Sequence, residues 1–325
     1  MKKIVLFLSL SLLFAAPGCI VIPVGDLLRG PPIGEHVLVE GGGFFSKEKI
    51  ALVELEGVIH GAENQSLLFP RENAVSELKA QLDFVRTDSE VMAVVLRISS
   101  PGGEVTACDV LHHELQKFRK ETGIPVVACI ADQGTSGAYY VAVAADTIVA
   151  HPTAIVGSIG AVLQSFDLSG LLSKIGVTSA PVKSVPKKDL NSLFRPMTED
   201  ERKILQKLVD DVHQRFIEVV DEGRPQLQRD EVVALADGRV VSGTEAASLK
   251  LVDKVGYLSD ALEEARKLGK IESPTIIRYT RVARSGSNIY TGAVPGNPGS
   301  RQLQLSLSAD ISSGPKLYYL WDPGI

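Results

Sequence analysis

Short apolar runs alternate with segments of helical periodicity in the first half of the chain. Two of these runs flank "NAVSELKAQLDFVRTD", in which apolar residues recur at helical spacing. The runs have the length and β-branched content of buried strands, and in chain order they are "KIALVELEGVI", "VMAVVLRI", "IPVVACIA" and "DTIVAH". Parallel strands need crossover connections, which helices supply. This order therefore predicts an α/β fold with a parallel sheet.

The second half of the chain is dominated by helical patterns. The longest of them, "TEDERKILQKLVDDVHQRFIEVVDEGR", opens with Thr198 and Glu201 at the spacing of a capping box. Beyond Lys270, the alternating segment "RQLQLSLSADI" predicts an edge strand. The last ten residues, "KLYYLWDPGI", are apolar and aromatic for a chain end. We therefore expect this end to dock on the body of the protein or on a neighbouring protomer.

The N-terminus has the pattern of an export signal. Lys2 and Lys3 precede an apolar run from Ile4 to Ala16 and then "PGC". This ending resembles the lipobox of bacterial lipoproteins and predicts a signal over residues 1–18 with Cys19 lipidated. Simple cleavage and a retained signal anchor are the alternatives. All three predict an extracytoplasmic, membrane-associated protein, with the Gly- and Pro-rich residues 19–47 as a tether.

Composition argues against a disordered chain and against a nucleic-acid-binding protein. A chain of 325 residues that is 45% hydrophobic and 22% charged is typical of a folded protein. The net charge of −5, without a run rich in Lys or Arg, argues against a nucleic-acid partner. We expect no metal and no cofactor. Cys108 and Cys129 lie in apolar or helical contexts, which favours inert buried thiols over a disulfide.

Two junctions that follow predicted strands are rich in glycine and serine. In "SSPGG", Gly102 and Gly103 could present backbone N–H groups to an oxyanion, or they could simply form a tight turn. In "ADQGTSGAYY", Ser136 could be a nucleophile, or the small residues around it could let a helix pack closely on the sheet. The sequence of each junction is compatible with both of its interpretations.

A serine nucleophile needs a general base. The chain has six histidines, none of them in a motif of recognisable catalytic spacing. His151 follows a predicted strand and is the best histidine candidate. Lys187 and Lys188 in "SVPKKDLNS" are the alternative, although most lysines simply lie at the surface.

Five motifs in one order resemble the signal peptide peptidase A family of serine proteases, in its short form with a single repeat. The resemblance runs through residues 48–270, which we interpret as the catalytic domain, and leaves residues 271–325 as a C-terminal tail. The motifs are "LRISSPGG", "TSGAYYVAVAAD", "VGSIGAV", "KKDLNS" and "ADGRVVSGTEAASLKLVDKVG".

The resemblance implies a role for each matching residue. The nucleophile falls on Ser136, the general-base lysine on Lys188, and the hydroxyl that orients this lysine on Ser158. The oxyanion and substrate-binding positions fall on Gly102, Gly103 and Gly137. Ala138 stands where the family commonly has a second glycine, a departure that concerns the fit of substrate rather than the chemistry.

The resemblance also implies an architecture and a biological role. It implies a Clp/crotonase-like fold of stacked β-β-α units, with a ring- or dome-shaped homo-oligomer. Its expected substrates are remnant signal peptides or other short unfolded peptides near the membrane, bound in extended form by shallow pockets for small or apolar side chains. A crotonase-like acyl-CoA enzyme and a catalytically inactive lipoprotein scaffold are the alternative functions.

Overall fold

The computed structural model describes residues 33–41, 47–61, 73–280 and 316–321. The predicted export signal, Cys19 and most of the tether lie outside these residues, as does the alternating segment 301–311. Within the described ranges, no helix is both long enough and apolar enough to cross a bilayer.

Strands are distributed over the whole described part of the chain. The four strands predicted from the apolar runs are present as β2, β3, β5 and β6. In chain order the strands are β1 (Gly34–Val39), β2 (Lys49–Glu56), β3 (Val91–Ser100), β4 (Gly102–Glu104), β5 (Val126–Thr135), β6 (Thr147–Ala150), β7 (Ile155–Gly157), β8 (Val162–Leu163), β9 (Val240–Ser242), β10 (Lys254–Val255), β11 (Thr275–Thr280) and β12 (Leu317–Leu320).

Helices connect the strands and dominate the second half, as the sequence predicts. The predicted capping box is present, because the Thr198 side chain accepts from the Glu201 N–H and the Glu201 carboxylate accepts from the Thr198 N–H. The helices are α1 (Ala74–Thr87), α2 (Val105–Thr122), α3 (Gly137–Ala142), α4 (Ser169–Lys174), α5 (Glu199–Gly223), α6 (Arg229–Leu235), α7 (Gly243–Ser248) and α8 (Leu258–Leu268), with a 3₁₀ turn at Pro186–Asp189.

Two sheets organise these elements. The larger has the strand order β1-β11-β2-β3-β5-β6-β10, and β7 joins it by pairing with β5 and with β9. Its central pairs, β2 with β3, β3 with β5 and β5 with β6, are parallel. The smaller sheet has the order β4-β12-β8. The predicted α/β architecture is confirmed, and β3, β4 and α2 form one of the expected strand–strand–helix units.

The core lies on both faces of the larger sheet because side chains alternate along each strand. On β3, Leu96 and Ile98 face the side covered by α1, α2 and α3, while Val95 faces α8. Both described cysteines are buried free thiols, as expected. Burial raises the pKa of the Cys129 thiol to about 12 and also raises the pKa of Cys108, so both remain protonated at neutral pH.

The parallel register brings the two glycine- and serine-rich junctions to the same edge of the sheet. Ser100 near the end of β3 is aligned with Gly134 near the end of β5. The next residues of both strands therefore leave the sheet side by side at its carboxyl edge, where ligands bind in open α/β sheets.

Candidate active site

Ser136 occupies a strained backbone position between β5 and α3. Its φ is 54° and its ψ is −122°, an arrangement that costs a non-glycine residue on the order of 1–3 kcal/mol. The Ser136 N–H donates to the Gly157 carbonyl at 2.7 Å, and its own carbonyl accepts from the Tyr140 N–H at 2.9 Å. These bonds fix a sharp turn from strand to helix, the geometry that presents a nucleophilic side chain.

The glycines beside Ser136 are required for packing. A Cβ on Gly137 would lie 2.3 Å from the Sγ of Cys108, and one on Gly134 would lie 2.7 Å from the side chain of Ile130. The small residues therefore do allow a helix to lie closely on the sheet. They also fix the backbone at Ser136. Close helix packing is therefore compatible with a nucleophile at this turn.

Gly102 and Gly103 are the first two residues of β4, beside this turn. Gly102 has a φ of 96°, and a Cβ there would lie 2.0 Å from the carbonyl oxygen of Tyr319 and 2.6 Å from the nitrogen of Gly137. The Gly102 N–H donates to the Oγ of Ser100 at 3.1 Å. The N–H of Gly103 is therefore the better candidate to bind an oxyanion.

The backbones of Gly103 and Gly137 lie close together beside Ser136. The nitrogen of Gly103 lies 3.2 Å from the position that a Cβ on Gly137 would take, and the carbonyl oxygen of Tyr319 lies 3.0 Å from that same point. Backbone N–H groups that converge next to a serine can stabilise the negative oxygen of a tetrahedral intermediate. The structure thus brings together four of the predicted site residues, Gly102, Gly103, Ser136 and Gly137.

Ser158 lies at the end of the neighbouring strand. β5 and β7 are paired in parallel with Thr135 aligned to Gly157, so Ser136 and Ser158 both follow the last aligned pair. Ser158 has a φ of 53°, is 8% exposed, and donates its N–H to the Arg239 carbonyl at 2.6 Å. Only the family resemblance selected Ser158 in the sequence, because β7 is three residues long and too short to show a strand period.

Lys188 lies in the exposed 3₁₀ turn Pro186–Asp189, and Lys187 beside it is exposed as well. Among the described residues, no hydrogen bond joins Lys188 to Ser136 or to Ser158. The single chain therefore does not itself bring the predicted base to the predicted nucleophile.

Ion pairs hold the turn that carries Lys188. The Arg195 guanidinium bonds both carboxylates of Asp189 and Glu201, and Lys183 bonds Asp189 at 2.9 Å. Arg195 hydrogen bonds, followed by those of Lys183, hold the pKa of Asp189 well below its usual range, and Arg195 lowers the pKa of Glu201 to about 2. The turn is thereby tied to the first turn of α5, a connection that sequence analysis missed.

The described contacts of the His151 and His112 rings lie outside the glycine–serine cluster. The ring of His151 contacts Thr153 and the ring of Tyr257. His112 is 3% exposed on α2, and burial lowers its pKa to about 4, so it is neutral at physiological pH. His112 packs edge-on against Tyr140.

Comparison with known proteins decides the family. The sequence model of peptidase family S49 matches residues 118–272. A putative protease of Methanocaldococcus jannaschii is 35% identical over 283 residues, which cover 86% of this chain and 87% of the relative. The chain belongs to peptidase family S49.

Two further relatives agree with this assignment. A putative signal peptide peptidase SppA of Enterococcus faecium is 36% identical over 76% of this chain and 70% of its own length. A putative protease of Synechocystis is 34% identical over 71% of this chain and 80% of its own length. The predicted resemblance to the signal peptide peptidase A family is confirmed, and the protein is a peptidase.

The peptidase has one further feature at this edge that its motifs do not indicate. The end of the chain, Lys316–Trp321, lies beside the converging amides, with β12 between β4 and β8. The expected docking of the chain end is therefore observed for these residues. The apolar and aromatic composition was the signal for docking, but nothing in it indicated where the segment would bind.

We predict that Gly102→Ala lowers kcat/KM of the peptidase by roughly 10²-fold, the cost of displacing an oxyanion donor. The added Cβ would overlap the space next to the Gly137 N–H. Gly123→Ala is the matched control, because Gly123 also has a positive φ, of 70°, but no neighbour within 4 Å. Peptide hydrolysis and thermal melting of both variants test this. Equal losses of kcat/KM in the two variants would mean that the strain of a side chain at positive φ, rather than the loss of an oxyanion donor, explains the effect.

Proposed function

We propose that this peptidase is a serine endopeptidase with Ser136 as nucleophile, Lys188 as general base and Ser158 as the hydroxyl that orients the lysine amine. The observation that carries the proposal is the strained turn at Ser136 next to the closely packed backbones of Gly103 and Gly137. The match to family S49 supports it, since the matched residues 118–272 include all three proposed side chains.

The proposed reaction has two steps. The Ser136 Oγ attacks the carbonyl carbon of the peptide bond while the Lys188 Nζ accepts the hydroxyl proton. The Gly103 and Gly137 N–H groups stabilise the resulting oxyanion, and the amine product leaves with the proton from Lys188. Water then hydrolyses the acyl-enzyme by the same sequence of proton transfers and releases Ser136.

Lys188 can accept a proton only in its neutral form, which removal from water favours. Its turn is exposed in the single chain. The same stretch of the chain, residues 166–194, exposes seven large apolar side chains, namely Phe166, Leu171, Ile175, Val177, Val182, Val185 and Phe194. We therefore propose that assembly into a ring- or dome-shaped homo-oligomer covers this region and completes the site. No cofactor or metal enters the proposed reaction.

The proposed substrates are remnant signal peptides or other short unfolded peptides outside the cytoplasm. The N-terminal signal pattern supports this location, with the protein anchored through Cys19. An acyl-CoA enzyme of crotonase type would share the oxyanion site, but the assignment to a peptidase family favours peptide hydrolysis. An inactive scaffold is disfavoured because the serine and the lysine are both retained.

Labelling with a serine-reactive fluorophosphonate tests the nucleophile. We expect the wild-type protein to be labelled and Ser136→Ala to remain unlabelled, because only an activated serine attacks the probe. Ser259→Ala is the control, since Ser259 is an exposed serine on α8, which packs on the face of the larger sheet opposite to α3. Labelling of Ser136→Ala at the wild-type rate would overturn the assignment.

The general base is tested by single substitutions. Lys188→Ala should lower kcat on a short peptide by roughly 10²- to 10⁴-fold, the usual cost of removing a general base. Lys187→Ala and His151→Ala should retain most activity, and Ser158→Ala should fall between the two groups. An inactive His151→Ala with an active Lys188→Ala would contradict the lysine mechanism.

The anchor is tested by mass spectrometry of the protein extracted from membranes. We expect the mature chain to begin at Cys19 carrying a diacylglyceryl group. A mature species that still begins with unmodified Met1 would refute the proposed anchor.

A further inference from the structure

Within the described residues, no hydrogen bond or ion pair holds the side chain of Lys188. Its backbone is fixed, because the Lys188 N–H donates to the Val185 carbonyl at 3.2 Å in the 3₁₀ turn. The long flexible stem of a lysine carries any change of backbone direction to its amine. The position of the amine in the single chain therefore depends on how the turn itself is held.

Arg195 holds this turn with an extensive set of hydrogen bonds. Its Nε and Nη2 donate to the two carboxylate oxygens of Asp189 at 3.0 and 2.8 Å, and Nη2 also donates to the Asp189 carbonyl at 3.1 Å. Its Nη1 donates to Glu201 at 2.8 Å and to the Pro196 carbonyl at 3.2 Å. Two parallel N–H···O bonds to one carboxylate fix its orientation as well as its distance. Arg195 thus orients the residue that follows Lys188.

Glu201 gives the network a fixed base. Its buried carboxylate also accepts from the N–H and the hydroxyl of Thr198, at 2.9 and 3.1 Å, in the capping box of α5. The helix α5 packs into the core through residues such as Phe216. A continuous series of contacts therefore runs from the core through Glu201 and Arg195 to the turn that carries Lys188.

The segment after the turn is attached separately. The side-chain carbonyl of Asn191 accepts from the Ser165 hydroxyl at 2.6 Å, and the Leu168 N–H donates to the Leu193 carbonyl at 2.7 Å. These bonds hold residues 191–193 against residues 165–168, which follow β8. Loss of the Arg195 side chain should therefore loosen the turn without detaching the segment that follows it.

Ion pairs near the surface contribute little to the free energy of unfolding. A planar guanidinium that bridges two carboxylates fixes geometry instead, and the point charge of a lysine does not replace it. We propose that Arg195 is a positioning residue, which sets the direction from which Lys188 presents its amine to the Ser136 hydroxyl. This inference rests on the proposed roles of Lys188 and Ser136.

A double-mutant cycle tests whether Arg195 acts through Lys188. Arg195→Ala should lower kcat on a short peptide by roughly 10- to 100-fold, the scale expected for a misplaced catalytic group, and leave KM nearly unchanged. In the Lys188→Ala background the same substitution should cause no further loss, because residues that act as a unit are not additive. An equal further loss in that background would overturn the proposal.

The matched control is Arg202→Ala, which should keep wild-type kcat. Arg202 lies at the start of α5, and its exposed side chain pairs with Glu199 at 4.0 Å. Should Arg195→Ala melt at a much lower temperature than wild type, Asp189→Asn takes its place in the cycle, since it weakens the bridge to the turn and keeps the pair of Arg195 with Glu201.

Chemical rescue tests the geometry of the bridge. Guanidinium chloride at millimolar concentration should restore part of the kcat of Arg195→Ala, because it supplies a planar donor for both carboxylates. Arg195→Lys should stay well below wild type, because an ammonium keeps the charge and loses the paired bonds. Full activity of Arg195→Lys, or equal stimulation of Lys188→Ala by guanidinium, would count against the proposal.

Amide hydrogen exchange measures the turn independently of activity. In Arg195→Ala we expect faster exchange at residues 187–190 and unchanged exchange in β3 and β5, since exchange reports local opening. A loss of kcat with unchanged exchange in the turn would mean that Arg195 acts in another way, and the proposal would be wrong.

The same variants separate this inference from the proposed function. A fully active Arg195→Ala beside an impaired Lys188→Ala would refute the positioning role and leave the proposed base in place. A fully active Lys188→Ala would refute the proposed base itself, whatever the effect of Arg195→Ala.

Discussion

The parallel pairing of β5 with β3 on one side and with β7 on the other is the constraint on which the candidate site depends. It makes three chain segments leave the sheet at one edge, carrying Gly102 and Gly103, Ser136, and Ser158. The hydrogen bond from the Ser136 N–H to the Gly157 carbonyl continues this pairing into the turn itself. The strain at Ser136 is thus held by a sheet whose central strands are buried on both faces, rather than by the loop alone.

The close approach of backbone segments at this edge explains the glycines. Gly102, Gly103 and Gly137 each have main-chain or sulfur atoms at distances that no Cβ could tolerate. A side chain at Gly102 or Gly137 would push β4 and the turn at Ser136 apart, and one at Gly103 would displace Ile59. Their proposed role in catalysis depends on this packing, because two amides can bind one oxygen only where the backbones lie this close.

The sequence predicted those parts of the structure that depend on local patterns. The apolar runs predicted β2, β3, β5 and β6. The two glycine-rich junctions predicted the segments that carry Gly102 and Gly103 on one side of the site and Ser136 on the other. It did not predict the pairing of β7 with β9, since such short strands carry no period of their own. It also did not predict the position of β12, which pairs with β4 more than two hundred residues earlier in the chain. The surroundings of Lys188 could not be predicted either. Its turn is exposed in the single chain, so contacts within this chain do not determine them.

The position of β12 between β4 and β8 has a consequence for assembly. β12 belongs to the same chain as the two strands that it joins. A segment that is covalently linked to its docking site meets that site at an effective concentration that does not depend on the protein concentration. Contacts between separate protomers weaken on dilution, whereas this contact does not. The edge of the sheet that carries Ser136 should therefore keep β12 as its neighbour even when an oligomer dissociates.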